Sequence, residues 1–514
     1  MFYILISLFL LGKISSSIII PFQTYNPLLT KNNSLLELIK KSSDKSIVDT
    51  MLRNLIYTNL IISDNNLELP TFFEMSSENI AIIDISISER QKSIKIRNSN
   101  FTFADNYLLK PIFKIKYYSS SKSKSYKFVE DCYDYIFDFL SIKNQCGNET
   151  VFLTKKNNIK EKEQINLINI YIKFKEVVDY DHRPGIIGLS YNNDFISELK
   201  ERKEISKYDF SFKYTNPTED KGELIIGDLP HIYDKDNYNE ENLRSTKIIL
   251  EGSVKWSINF DIYITLKNQS QKEKHLAIDD IASFYIEEFF ITGSHIYMKY
   301  IEENFFKKYI ELKLCKRKTH NKAYYSETFF HFLCDIDNEQ IRKEFFDEFP
   351  VLILSQKEMN YNFSLTAEDL FTIIPDGKRI IFNVDFILNS NKWIIGKPFF
   401  KKYQLIFNFD SNLISYYINP KDIQINKEEE NYKRGNGLKI FIIIFLIFLA
   451  FVVGIILGRV LCIKYNRKMR ANELEDNFSY DTNDSNNEES KDNLTKINCQ
   501  NNDNNCKSKY YQLY

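Results

Sequence analysis

Net charge is what this sequence has least of: 68 Lys and Arg stand against 69 Asp and Glu, leaving −1 with His neutral. A balance this close gives no electrostatic basis for binding nucleic acid. Histidine is also scarce, six in 514 residues. Isolated examples such as His182, His231 and His295 lack the spacing of metal ligands, so no metal or cofactor is expected.

Charge is missing locally as well, from two apolar runs near the ends that differ in length and flanks. Phe2 to Leu11 is followed by Gly12, Lys13 and the small residues Ser15, Ser16 and Ser17. It is too short to span a bilayer and reads as a signal peptide over residues 1–17, although it lacks a basic n-region. Ile440 to Leu457 is uncharged throughout and bracketed by Lys439 and Arg459. At about 1.5 Å per residue it crosses a hydrocarbon core, which predicts a transmembrane helix over 438–461. The basic residues Arg459, Lys464, Arg467, Lys468 and Arg470 outnumber Lys433, Arg434 and Lys439, placing the C-terminus in the cytosol. The expected topology is single-pass type I in the secretory pathway, at the cell surface or in an endolysosomal compartment.

The roughly 420 residues between these runs exceed one compact core and suggest two lobes. Four of the seven cysteines lie there, Cys132, Cys146, Cys315 and Cys334, an even set that suggests two disulfides. Of three possible connectivities, local pairing of Cys132 with Cys146 and Cys315 with Cys334 is expected. Sequons at Asn32, Asn100, Asn148, Asn268 and Asn362 agree with lumenal exposure. Residues 18–53 read as a leader or pro-like segment or a plain linker. From Asn54 onward short runs of β-branched and aromatic residues are bounded by Asn, Asp and Ser, as in 55–62, 80–87, 165–174 and 258–266, an all-β reading. Helical patches, such as 193–204 and 298–310, are few. Residues 420–437 form a charged stalk, and 462–514 form a polar tail expected to be disordered. Within it Tyr510 to Leu513 fits a Tyr-x-x-apolar sorting pattern for a cytosolic adaptor, against the plainer reading of a solvated tail. Cys462 stands where palmitoylation occurs.

Gly185-Ile186-Ile187-Gly188 recurs as Trp393-Ile394-Ile395-Gly396, an echo that a duplicated lobe would produce. With Leu189-Ser190, the first copy resembles the first-lobe Gly-[Ile/Leu]-[Ile/Leu]-Gly-Leu motif of the pepsin-like aspartic proteases. Phe210-Ser211-Phe212 and Gly222 to Gly227 resemble a stretch that follows it there. Trp393 to Phe400 with Tyr403 to Asp410 resembles the matching second-lobe segment, preceded by Phe349-Pro350 and 362–371. The resemblance spans most of the lumenal region. It implies an all-β, bilobal pepsin-like fold, with an N-terminal lobe over 54–245 and a C-terminal lobe over 246–419.

In that family, two Asp-[Thr/Ser]-Gly loops present two carboxylates to one water. Held about 3 Å apart, the two cannot both ionise, so one accepts a proton while the other donates one. This sequence has no Asp-Thr-Gly or Asp-Ser-Gly. Registering 57–67 on the strand that leads to the first loop places Glu74, Met75 and Ser76 over Asp-Thr-Gly. Anchoring Ala282 and Thr292-Gly293 in the second lobe places Tyr285, Ile286 and Glu287 there. Gly185 then lies 111 residues after Glu74 and Trp393 108 after Tyr285, as duplicated lobes require. A phenol of pKa about 10 cannot replace the second carboxylate. Between Gly12 and Gly185 the only glycine is Gly147, so the family's Gly-rich flap tip is altered too. The residues point to a pseudoprotease that binds a peptide or protein partner in the cleft between the lobes. The alternative is an active endopeptidase in which Glu287 or Glu288 meets Glu74, and a third reading is a sorting or adhesion receptor. Lys40-Lys41 is similar to basic pro-segments that cover the family's dyad, a role with little left to act on here.

Overall fold

A computed structural model gives the structure of the chain. It describes residues 17–24, 43, 44, 48, 56–84, 118–137, 140–156, 164–175, 184–191, 193–249, 256–265, 273–321, 328–419, 445–468 and 470. The chain divides into two compact units, Met1–Ile423 and Gln424–Tyr514.

The first unit is mostly β. In chain order its strands are Ser17–Thr24 (β1), Ile56–Ile62 (β2), Leu67–Glu74 (β3), Ile80–Ile83 (β4), Lys127–Phe137 (β5) and Leu140–Lys156 (β6). Gln164–Lys175 (β7), Gly185–Gly188 (β8), Asp209–Asn216 (β9), Lys221–Ile226 (β10) and Leu243–Lys247 (β11) follow. A second set begins with Ser257–Thr265 (β12), Glu273–Phe284 (β13), Ile291–Gly293 (β14), Cys315–Asn321 (β15) and Thr328–Asp335 (β16). It continues with Val351–Gln356 (β17), Tyr361–Leu365 (β18), Phe371–Ile373 (β19), Arg379–Ile387 (β20) and Trp393–Ile395 (β21), before Ile406–Asn408 (β22) and Leu413–Tyr417 (β23). Strands β1 to β11 with β22 and β23 make a 13-stranded sheet, and β12 to β21 make a second sheet of ten among the described residues.

Residue pattern follows position in the sheets. Strand β17 alternates buried and half-buried residues, as a strand with one face on the core does. Strand β20, Arg-Ile-Ile-Phe-Asn-Val-Asp-Phe-Ile, is buried along its whole length because β14, β16 and β19 flank it, and it accordingly lacks a strict alternation. The two sheets share one apolar core. At their junction Trp256 packs against Phe210 and Phe407, and its Nε1 donates to the Leu189 carbonyl at 2.8 Å. Each such fully buried aromatic contributes on the order of 2 to 3 kcal/mol through the area it removes from water.

The local cysteine pairing is present in both cases. Cys132–Cys146 links β5 to β6, and Cys315–Cys334 joins directly opposed residues of β15 and β16. The expected helical patches appear as Asp194–Glu201, capped by the Asn193 side chain on the Ile196 amide, and as a helical run from His295 to Glu311.

The start of the segment read as a leader or linker is strand β1. Strand β1 lies between β10 and β2, with six residue pairs to β10, so these residues are part of the sheet. Its buried Ile18, Ile19 and Ile20 explain why. Further along that segment Val48 is buried, and Asp44 pairs with Lys316 at 2.6 Å, Lys318 at 3.6 Å and Arg379 at 3.8 Å.

In the second unit one helix, Phe445–Lys468, is long and apolar enough to cross a membrane. It runs seven residues past the expected end at Leu461, because Arg459 to Lys468 contains no helix breaker. Cys462 is free and exposed on it. Asn362 is exposed on β18 and Asn148 half-buried on β6. Asn32, Asn100, Asn268, Lys40, Lys41, Tyr510 and Leu513, the stalk 420–437 and residues 471–514 of the tail lie outside the described residues.

Candidate functional site

The same crossing occurs once in each sheet. Strand β3 runs parallel to β8, with Glu74 opposite Gly188, and β4 returns antiparallel along β8. Strand β13 runs parallel to β21, with Phe284 opposite Ile395, and β14 returns antiparallel to β21. The next parallel partner repeats too, β4 with β7 and β14 with β20.

Between the crossing strands lie two turns, each closed by an amide three residues on. Ser77 N donates to the Glu74 carbonyl at 3.4 Å, and Glu288 N to the Tyr285 carbonyl at 3.2 Å. The glycines of the repeated motif are needed because backbone meets backbone here. A Cβ on Gly188 would stand 2.5 Å from the Ser77 carbonyl oxygen, and one on Gly396 would stand 2.6 Å from that of Glu288. Ser77 is three residues after Glu74 and Glu288 three after Tyr285, so Glu74 and Tyr285 occupy equivalent places.

Glu287 joins the two turns. Its Oε2 accepts from the Met75 amide at 3.0 Å and its Oε1 from the Ser76 amide at 3.1 Å, both in the turn that carries Glu74. Burial, and next the neighbouring charge of Glu74, push the Glu287 carboxyl up to about 8, while hydrogen bonds from the Met75 backbone, its own backbone and the Ser76 side chain pull the other way. Tyr285 is buried, and burial together with Glu287 and Glu288 raises its phenol far above the usual value, so it keeps its proton. The structure therefore brings Glu74 and Glu287 together across the turns, with Tyr285 at the position of the second turn equivalent to Glu74. Glu287 is a proton-holding group beside another acid, but both of its oxygens are engaged by backbone.

Two buried polar clusters support the second turn. Lys397, just after Gly396, pairs with Asp220 at 3.0 Å, both side chains almost wholly enclosed, and Lys401 pairs with Asp220 as well. Burial pushes the Lys397 amine down to about 7, opposed by Asp220. Asp220 sits in the β9–β10 turn at φ 54, so this pair ties the second crossing to the first sheet.

Behind the turn, Phe290 stacks on His331, and the Nδ1 atoms of His320 and His331 are 3.1 Å apart. His320 Nε2 is 3.4 Å from Asp385, whose other oxygen accepts from the Thr292 hydroxyl at 2.7 Å. Burial, then His320, lowers His331 to about 3, so its ring is neutral. Sequence reading missed both clusters. Lys397 is separated by 177 positions from Asp220, and the histidines meet only through the β15–β16 register.

Among the described residues no group of three or more His, Cys, Asp or Glu side chains could hold a metal ion. The chain matches no protein-family model and no curated protein.

Proposed function

We propose that this chain is a membrane-anchored pepsin-like pseudoprotease, whose two β lobes bind an extended peptide or a protein partner rather than cleave it. The observation that carries this reading is the duplicated crossing, with Glu74 in one turn and Tyr285 in its equivalent. A bilobal aspartic-protease scaffold, with lobes over 54–245 and 246–419, accounts for both crossings and for the motif glycines. Its hydrolysis needs two carboxylates sharing one water, and a buried phenol that keeps its proton cannot act as one of them. Glu287 does not fill the gap, because two amides bind its oxygens and make it a clasp between the turns.

The test is an assay of the detergent-solubilised full chain on unfolded protein and peptide mixtures between pH 3 and 7. No cleavage sensitive to a statine-type transition-state analogue is expected. Cleavage that the analogue blocks and Glu74→Ala removes overturns the proposal.

One observation favours a second reading, an acid endopeptidase with a Glu74–Glu287 pair: the Glu287 carboxyl is raised beside Glu74, as one member of an acid dyad must be. In that case activity is present in the same assay and is lost in both Glu74→Gln and Glu287→Gln.

A further inference from the structure

We propose that Asn362 carries an N-linked oligosaccharide, and that this glycan and the Tyr403 hydroxyl together close the open edge of the second sheet. The proposal rests on the lumenal placing of the first unit. It is independent of whether the cleft binds or cleaves.

Strand β18 ends the second sheet on one side, pairing with β17 alone among the described residues. Such an edge offers backbone donors and acceptors to a strand of another chain, and soluble folds cover it. Part of this edge is covered from within. The Ser364 amide donates to the Tyr403 hydroxyl at 2.9 Å, and that hydroxyl donates to the Ser364 carbonyl at 2.8 Å. A single phenol takes the place of a neighbouring strand there. In an antiparallel pair both backbone groups of a residue face one side, and that side alternates along the strand. The N–H and C=O of Asn362, two positions earlier, are therefore turned to the same open side, where the one hydroxyl is already engaged by Ser364.

The Asn362 side chain is exposed, while Tyr361 and Phe363 on either side of it are buried. It stands in a polar row with Ser355 of β17 and Asp261 of β12. Asn362-Phe363-Ser364 is a sequon, so the residue at the uncovered stretch is also the one that accepts a glycan. A bulky, hydrated oligosaccharide there keeps another strand from approaching. The other described sequon, at Asn148, has no such setting. Asn148 is half-buried in β6 between β5 and β7. The next residue, Glu149, is fully enclosed and accepts from Tyr118, Ser123 and the Thr150 amide. Transfer to Asn362 takes a lipid-diphosphate-linked oligosaccharide as donor. The carboxamide nitrogen bonds to C1 of the sugar, the C1–O bond breaks, the lipid diphosphate leaves with that electron pair, and the nitrogen gives up one proton.

The full chain, expressed in secretory cells and purified in detergent, is digested with peptide-N-glycosidase in heavy-oxygen water and mapped by mass spectrometry. Asn362 should be recovered in the labelled, deamidated form. An unlabelled Asn362 overturns the proposal, and if every other sequon is unlabelled as well, the lumenal placing falls with it. Size-exclusion chromatography reads the closing of the edge. Ser364→Ala removes the sequon but keeps the backbone bonds to Tyr403, and it should move protein from the main peak into aggregate, as should Asn362→Gln. Ser364→Thr keeps the sequon and should elute as the natural chain does. Should the first two variants fail to fold, enzymatic removal of the glycan from the folded natural protein should give the same shift. Elution unchanged by that removal, or Ser364→Thr aggregating as Ser364→Ala does, overturns the role assigned to the glycan.

Discussion

At the scale of single residues, Glu287 decides how the two turns are held. Removing its side chain leaves the part-buried Met75 amide without that acceptor and hands the exposed Ser76 amide to water. The loss at Met75 costs about 1 to 3 kcal/mol. Glu287→Ala should therefore lower the melting temperature, while Glu287→Gln, which keeps one acceptor, lowers it less. The same residue shapes the pH profile. Folded, its carboxyl keeps the proton up to about 8, whereas unfolded it releases it near 4.5. Between those values the unfolded chain binds fewer protons, so this group's contribution to stability is complete below 4.5 and is lost as pH rises through 8. Melting curves of the wild type and Glu287→Gln across pH 4 to 9 measure the difference, and the variant's slope should be the flatter. The equivalence of the turns that carry Glu74 and Tyr285 was legible in the sequence because motif anchors stand on both sides of each. The clasp made by Glu287 was not, since it depends on a side chain crossing to another turn's backbone.

Among the elements, strand pairs joined by cysteine were the most legible, and the N-terminal strand the least. The two disulfides span 14 and 19 residues within neighbouring strands, so local spacing was enough to pair them. Loops of this length restrict the unfolded chain by about 3 kcal/mol. The double variant Cys315→Ser, Cys334→Ser should lose about that much stability in denaturant titration, with the first sheet's hairpin disulfide intact. Strand β1 was hidden because its three isoleucines directly follow the small residues of the signal-peptide reading, and Pro21 interrupts the run. Proline falls where one side of β1 is open, since its pairs to β6 end at Ile19 and those to β2 begin at Gln23. The glycines of the repeated motif were legible for a physical reason: strand passes turn too closely at Gly188 and Gly396 for any side chain. The histidine pair behind the second turn left no such mark, because ordinary strand residues surround both members.

For the whole molecule, the β class and the apolar C-terminal helix followed from sequence pattern, while the joining of the two sheets did not. Strands β22 and β23 come from the end of the first unit and pair with β9 and β11, a return of the chain that no local pattern encodes. The division after Ile423 has a direct consequence. A chain ending at Ile423 should be released from secretory cells as folded protein, whereas the full chain should stay in the membrane pellet through alkaline carbonate extraction. Full-length protein in the supernatant would refute a spanning role for Phe445–Lys468.

The return of β23 has a consequence for a chain under tension. Tension on the chain beyond Ile418 enters through β23, which is laced to β11 by five residue pairs and to β22 by three. Pulling force is thus spent on that ladder before it reaches either turn. In single-molecule pulling from the C-terminal side, β23 is expected to peel before the Glu287 clasp is stretched.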